Sequence, residues 1–81
     1  MEKIMDTLTY EHGDRVRIVA QGDKYDGKVG IISGYHPVED IWAVRFTFSG
    51  APDFPIWYNP REIKLYKTYE EVKRYVYGNK K

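Results

Sequence analysis

The stretch of residues 13–32, GDRVRIVAQGDKYDGKVGII, constrains the fold more than any other part of the chain. Apolar residues alternate along residues 15–20, which places Val16, Ile18 and Ala20 on one face of a half-buried strand. Residues 21–27 combine two glycines with two aspartates, as is typical of a loop whose backbone adopts positive φ. A second strand follows over residues 28–35, where Gly30 and Gly34 indicate close packing or a bulge. This order predicts the entry to a small twisted β-barrel.

Three further strands are predicted in the middle of the chain. Residues 41–48 alternate again, and we expect Trp42, Phe46 and Phe48 to fill the core. Short strands over residues 56–59 and 63–66 are separated by a tight turn over residues 59–62. A turn over residues 36–40 contains Pro37, and a glycine- and proline-containing loop over residues 49–55 presents Phe54.

The C-terminal segment carries a helix signal. Thr68 and Glu71 have the spacing of a capping box, in which each side chain accepts a backbone N–H at the start of the helix. Tyr69, Val72 and Val76 then form an apolar stripe, and a glycine at position 78 ends the pattern. Because a helix of about ten residues is marginal alone, its stripe must pack on the barrel or on a partner.

Size and composition limit the class of protein. A chain of 81 residues forms one domain, and the absence of cysteine excludes disulfides and thiolate metal sites. No apolar run approaches the ~20 residues that span a bilayer, and the polar start of the chain resembles neither a secretory signal nor a transit peptide. We expect a cytoplasmic monomer with no membrane contact. It is divided into a flexible arm (residues 1–12), a barrel (13–66) and a capping helix with a basic tail (67–81).

One short motif carries a family resemblance. The step Gly27-Lys28-Val29-Gly30 enters the second strand and is preceded by the strand around Val16 and by the loop ring of Tyr25. This pattern resembles the KOW branch of SH3-like barrels, over residues 13–66. The resemblance implies a mainly β fold, a five-stranded SH3-like barrel with a short C-terminal α-helix. It also implies contact with RNA, RNA polymerase or other proteins, as in transcription factors, ribosomal proteins and small phage-encoded proteins of similar fold.

The residues offer little for catalysis. His12 and His36 lie in the arm and in a turn, without an acidic residue at the spacing of a dyad or metal site. Asp23 and Asp26 flank a turn but lack the regular ligand spacing of a calcium loop. We expect no enzyme activity, catalytic residue, metal or cofactor.

Aromatic residues favour a binding function. Eight Tyr, two Trp and three Phe make up 16% of the chain, more than so small a core can enclose. The predicted partner-binding rings are Tyr25, Tyr35, Phe54, Trp57 and Tyr58. We expect a non-enzymatic docking module, a small phage-type or accessory factor that binds a protein component of a transcription or translation machine.

The distribution of charge keeps nucleic acid as an alternative partner. The net charge is only +1, yet residues 61–81 hold seven of the thirteen basic groups. Direct RNA or DNA binding, weak and salt-dependent, would use Arg61, Lys64, Lys67, Lys73 and Arg74. A role as a small subunit of a redox enzyme complex is a third alternative, based on the fold resemblance alone.

Overall fold

The protein is mainly β, with a five-stranded antiparallel sheet and one short helix, as predicted. The computed structural model describes the backbone of residues 9–78 and the side chains of residues 9–73. The strands are β1 (Arg15–Ile18), β2 (Val29–His36), β3 (Ile41–Arg45), β4 (Ile56–Tyr58) and β5 (Ile63–Lys67). A 3₁₀ turn (Pro60–Glu62) precedes β5, and helix α1 (Tyr69–Gly78) follows it.

The strand order β4-β3-β2-β1-β5 places β4 and β5 at opposite edges of the sheet. A flat sheet of this order would separate its edge strands by about 19 Å. Only residues 59–62 join the two strands, and a 3₁₀ turn rises by about 2 Å per residue. The sheet must therefore curl until the end of β4 approaches the start of β5. No ladder joins these strands within residues 9–78, so the sheet is curled but open.

The core lies on the inner face of the curled sheet. Val16, Ile18, Ile32 and Val44 are the largest fully enclosed side chains. Burial of each contributes about 1.5–3 kcal/mol, so this face supplies much of the folding free energy. Val16 and Ile18 confirm the alternation predicted for the first strand. The remaining buried members of the cluster are Tyr10, Trp42, Phe46, Tyr58 and Ile63.

Packing extends into the segment that the sequence assigned to a flexible arm. Tyr10 is buried, its ring meets Trp42 edge-on at 5.2 Å, and its hydroxyl donates to the Ile63 carbonyl at 3.4 Å. A single ring in a segment without alternation gives no periodic signal, which is why this core residue was missed. Residues 1–8 of the predicted arm and residues 79–81 of the predicted tail lie outside the described residues.

The first turn of α1 is fixed to the sheet by Asp14. Its carboxylate is only 6% exposed and accepts the Tyr69 N–H and the Glu11 N–H, both at 2.9 Å. The predicted capping box is present: Glu71 N–H donates to Thr68 Oγ1 at 3.0 Å, and Thr68 N–H donates to Glu71 Oε1 at 2.9 Å. The contact between Tyr69 and Asp14 shows that this turn packs on the sheet.

Gly30 provides a test of the packing between β2 and β3. A Cβ atom at Gly30 would overlap Val44 Cγ1 and lie 3.1 Å from Phe46 Cδ1, whereas one at Gly34 would meet only Ala43 Cβ at 3.6 Å. We expect Gly30→Ala to lower the free energy of unfolding by about 1–3 kcal/mol because of overpacking. Gly34→Ala is the control and should have little effect. Equal denaturation midpoints for the two variants would contradict this account.

Asp14 provides a test of helix docking. Asp14→Asn replaces one acceptor oxygen with an amide donor, so we expect a loss of about 1.5–3 kcal/mol, as for hydrogen bonds to charged groups. Thr68→Ala removes only the local cap and should cost about 1 kcal/mol. Hydrogen exchange should show faster exchange at residues 69–73 in Asp14→Asn. Unchanged protection there would mean that the helix does not depend on Asp14.

Candidate functional site

A β-bulge in β2 determines which rings line a concave surface of the sheet. The pairing of Ile32 with Val44 is followed by that of Gly34 with Ala43, so Ser33 is an extra residue in β2. The shift exchanges the two faces of the strand beyond Ser33. Tyr35 therefore lies opposite Trp42, and their ring centroids are 4.2 Å apart.

These rings border a pocket of about 430 Å³ at one end of the inner face. Tyr10, Tyr35 and Trp42 form its aromatic wall, and Thr9 and His12 lie at its N-terminal side. The volume falls within the range of about 300–1,000 Å³ that small-molecule pockets occupy. The pocket can accept an apolar or aromatic group of side-chain size.

Two polar groups of the aromatic wall differ in their hydrogen bonding. The Tyr35 hydroxyl donates to Asp40 Oδ1 at 2.9 Å, and this hydrogen bond raises the pKa of Tyr35. Trp42 is 6% exposed, and its Nε1–H has no hydrogen-bond partner within residues 9–73. An unsatisfied buried donor costs about 1–3 kcal/mol, so Trp42 is held here by packing against its neighbouring rings.

Two of the predicted partner-binding rings pack within the fold. Tyr58 is 3% exposed and its hydroxyl donates to Asp23 Oδ2 at 2.8 Å; burial and this bond raise its pKa. Tyr25 is partly buried and stacks on Phe46 with a centroid distance of 4.8 Å. The predicted core residues Trp42 and Phe46 are buried, while Phe48 is only partly buried.

The other predicted rings do not join Tyr35 on one surface. Trp57 is exposed and pairs across the sheet with Ala43, on the face away from Trp42. Its ring meets His36 edge-on at 6.2 Å. Phe54 is exposed in the loop before β4. Tyr35 is the one predicted partner-binding ring that lines the pocket; the sequence did not single out Tyr10, and it favoured a core position for Trp42, which also lines the pocket.

A second bulge gathers positive charge on the outer face of β1 and β5. Arg17 pairs with Lys64 and Arg15 with Lys67, but the register shifts between these pairs, so Tyr66 is an extra residue in β5. Without this shift Lys67 would point to the same side as Ile63. Directly opposed residues of antiparallel strands share a face, so all four cations lie on one surface.

A tyrosine ring lies beside these cations, and the described side chains supply no ion-pair partner for three of them. The Arg17 guanidinium lies 5.0 Å and the Lys67 ammonium 5.5 Å from the centroid of the Tyr66 ring. No carboxylate of residues 9–73 forms an ion pair with Arg17, Lys64 or Lys67. We call Arg15, Arg17, Lys64, Tyr66 and Lys67 the cationic strip.

The predicted nucleic-acid residues are divided by the fold. Lys64 and Lys67 belong to the cationic strip, while Arg61 lies in the 3₁₀ turn. Lys73 is on α1, 3.9 Å from Glu70, and the Arg74 side chain is outside the described residues. Arg15 and Arg17 were missed although their alternation pointed outward, because the pairing of β1 with β5 is not visible in either strand alone.

Other classes of site find little support among the described residues. Residues 9–73 contain no group of three or more His, Asp or Glu side chains that could hold a metal ion. His36 Nδ1 accepts only the Glu39 N–H, at 3.4 Å. Within residues 9–78 no helix is long and apolar enough to cross a membrane.

Comparison with known proteins yields no relative: no family model matches the chain, and no curated protein or solved structure is significantly similar to it.

The cationic strip should reduce stability, because like charges directly opposed on neighbouring strands repel each other. We expect Lys64→Gln to raise the free energy of unfolding by about 0.2–1 kcal/mol at low salt. The gain should shrink as added salt screens the repulsion. Arg61→Gln removes the same charge from the 3₁₀ turn and serves as the control. Equal gains in both variants would point to net charge instead of the opposed pair.

Proposed function

We propose that the protein is a non-enzymatic docking module with a KOW-related, SH3-like barrel, and that it binds a protein component of a transcription or translation machine. A small phage-type or accessory factor fits this description. The observation that carries the proposal is the aromatic pocket formed by Tyr10, Tyr35 and Trp42. Three aromatic side chains converge at this concave surface, and His12 beside them belongs to no cluster of potential metal ligands within residues 9–73.

The topology supports the barrel part of the proposal. Four consecutive strands form a meander, and the fifth returns to pair with the first after a single 3₁₀ turn. The Gly27-to-Gly30 step enters β2 as the KOW resemblance requires, and Gly30 lies where β2 closely approaches Val44. Gly27 adopts φ +88°, which suits glycine at the end of the loop.

The aromatic lining of the pocket supports a protein partner. Its wall is formed largely by rings, and Tyr and Trp are enriched at the residues that contribute most to protein–protein binding. Tyr35 is 44% exposed, and its position is fixed by Trp42 on one side and Asp40 on the other. A ring held in place before binding loses little conformational entropy on contact. The expected anchor from the partner is an apolar or aromatic side chain.

A second candidate function, direct binding of RNA or DNA, is favoured by the cationic strip. The four cations share one surface, and Arg17, Lys64 and Lys67 form no ion pair within residues 9–73, so their field is of the kind that attracts phosphates. This candidate uses only Lys64 and Lys67 of the basic residues expected from the sequence, together with Arg15 and Arg17.

Capture from nuclease-treated lysate, followed by affinity measurement with the identified protein, tests the docking proposal. We expect Tyr35→Ala to weaken binding by about 30-fold or more, as for a residue worth ~2 kcal/mol. Tyr35→Phe keeps the ring and should bind within a few-fold of the wild type. Thermal denaturation checks that the variants remain folded.

The two tryptophans allow the contact to be located. Trp57→Phe leaves Trp42 as the sole indole, so its emission should change when the partner enters the pocket. Trp42→Phe leaves only Trp57 as a reporter on the opposite face. Binding that is insensitive to Tyr35→Ala, or that changes only Trp57 emission, would contradict docking at the pocket.

A further inference from the structure

We infer that the cationic strip binds single-stranded nucleic acid, with its cations on the phosphates and the Tyr66 ring stacked on a base. This inference deepens the second candidate function and depends on it, because it names the ligand class and the residues that hold it. It is independent of docking at the aromatic pocket.

The strip concentrates positive charge in a chain whose net charge is close to zero. The net charge of the whole protein is +1, yet four cations form two directly opposed pairs on two adjacent strands. Neighbouring strands lie about 4.8 Å apart, and residues two apart along a strand are separated by about 6.7 Å. The array is therefore small enough for one extended strand of nucleic acid to contact all four groups.

The arrangement of like charges points to a ligand that is not part of the fold. Lysines on an edge strand deter pairing between protein molecules, and this accounts for Lys64 and Lys67 on β5. It does not account for Arg15 and Arg17, because β1 lies between β2 and β5 and has no free edge. A bound polyanion would convert the repulsion between the opposed cations into attraction.

Tyr66 favours a single strand over other polyanions. Tyr66 is 50% exposed, and the Arg17 and Lys67 cations lie over its ring, so a base that displaces one of these flexible side chains from the ring finds cations beside it for its own phosphates. Stacking on an aromatic side chain requires an unpaired base, which a duplex does not offer. An acidic peptide would be held by the charges but gains little from the ring.

Fluorescence anisotropy with labelled 12-nucleotide oligo(U) and oligo(dT) at 20–200 mM salt tests the strip. We expect a log–log salt dependence with a slope near −2 to −3, given about −0.7 for each phosphate neutralised. The double variant Arg17→Gln/Lys64→Gln should reduce the magnitude of this slope by about 1.4. The matched control Lys24→Gln/Lys73→Gln removes the same charge from a loop and from α1, and should leave the slope unchanged.

The ring is tested separately. Tyr66→Leu should weaken binding by about 5- to 100-fold, the range that loss of one base–aromatic stack produces. Tyr66→Phe preserves the stacking face and should bind within about two-fold of the wild type. Circular dichroism and thermal denaturation confirm that each variant is folded.

Several outcomes would overturn the inference. Equal binding of a duplex, or of oligoglutamate, without dependence on Tyr66 would assign the strip to a different polyanion. Loss of binding in the control double variant but not in Arg17→Gln/Lys64→Gln would place nucleic-acid binding elsewhere on the chain; the second candidate function would then stand without the strip. No binding at 20 mM salt would contradict both this inference and the second candidate function.

Discussion

Asp14 joins the segment before β1, strand β2 and the start of α1 through its side chain and its backbone carbonyl. Its two carboxylate oxygens accept N–H groups from Glu11, before β1, and from Tyr69, at the start of α1. Its own carbonyl accepts the Ile32 N–H of β2 at 2.8 Å, and the neighbouring Gly13 N–H donates to the Ile32 carbonyl at 2.9 Å. A buried carboxylate is tolerated only when such donors replace its hydration. The N-terminal side of the aromatic pocket therefore depends on a residue that does not line it.

The sequence predicts the strands and the helix of this fold better than it predicts which side chains lie on each face of the sheet. Alternation identified the buried side chains of β1, the capping box identified the start of α1, and the glycines of the first loop identified positive φ at Gly22 and Gly27. All of these are local effects. Each depends on residues within a few positions, so one sequence contains the whole signal.

The candidate sites are harder to predict because both depend on strand register. An alternation of period two assumes that a strand keeps the same two faces along its length. Ser33 and Tyr66 break this assumption by adding one residue opposite a partner strand. Burial of rings is non-local in the same way: the buried Tyr58 hydroxyl donates its hydrogen bond to Asp23, 35 residues earlier. Neither effect can be read from the strand that carries the residue.

The two bulges also bear on how such a protein changes over evolution. Residues on one side of a bulge keep their pairing while those on the other side exchange faces, so the fully buried Ile32 and Val16 are unaffected by what happens beyond them. Loss of the single codon for Ser33 or Tyr66 would restore regular pairing and leave Tyr35 opposite Trp42 and Lys67 opposite Arg15, because each bulge residue is the one without a partner on the neighbouring strand. A small sheet can therefore absorb an insertion or a deletion at these two positions without substitutions in its core.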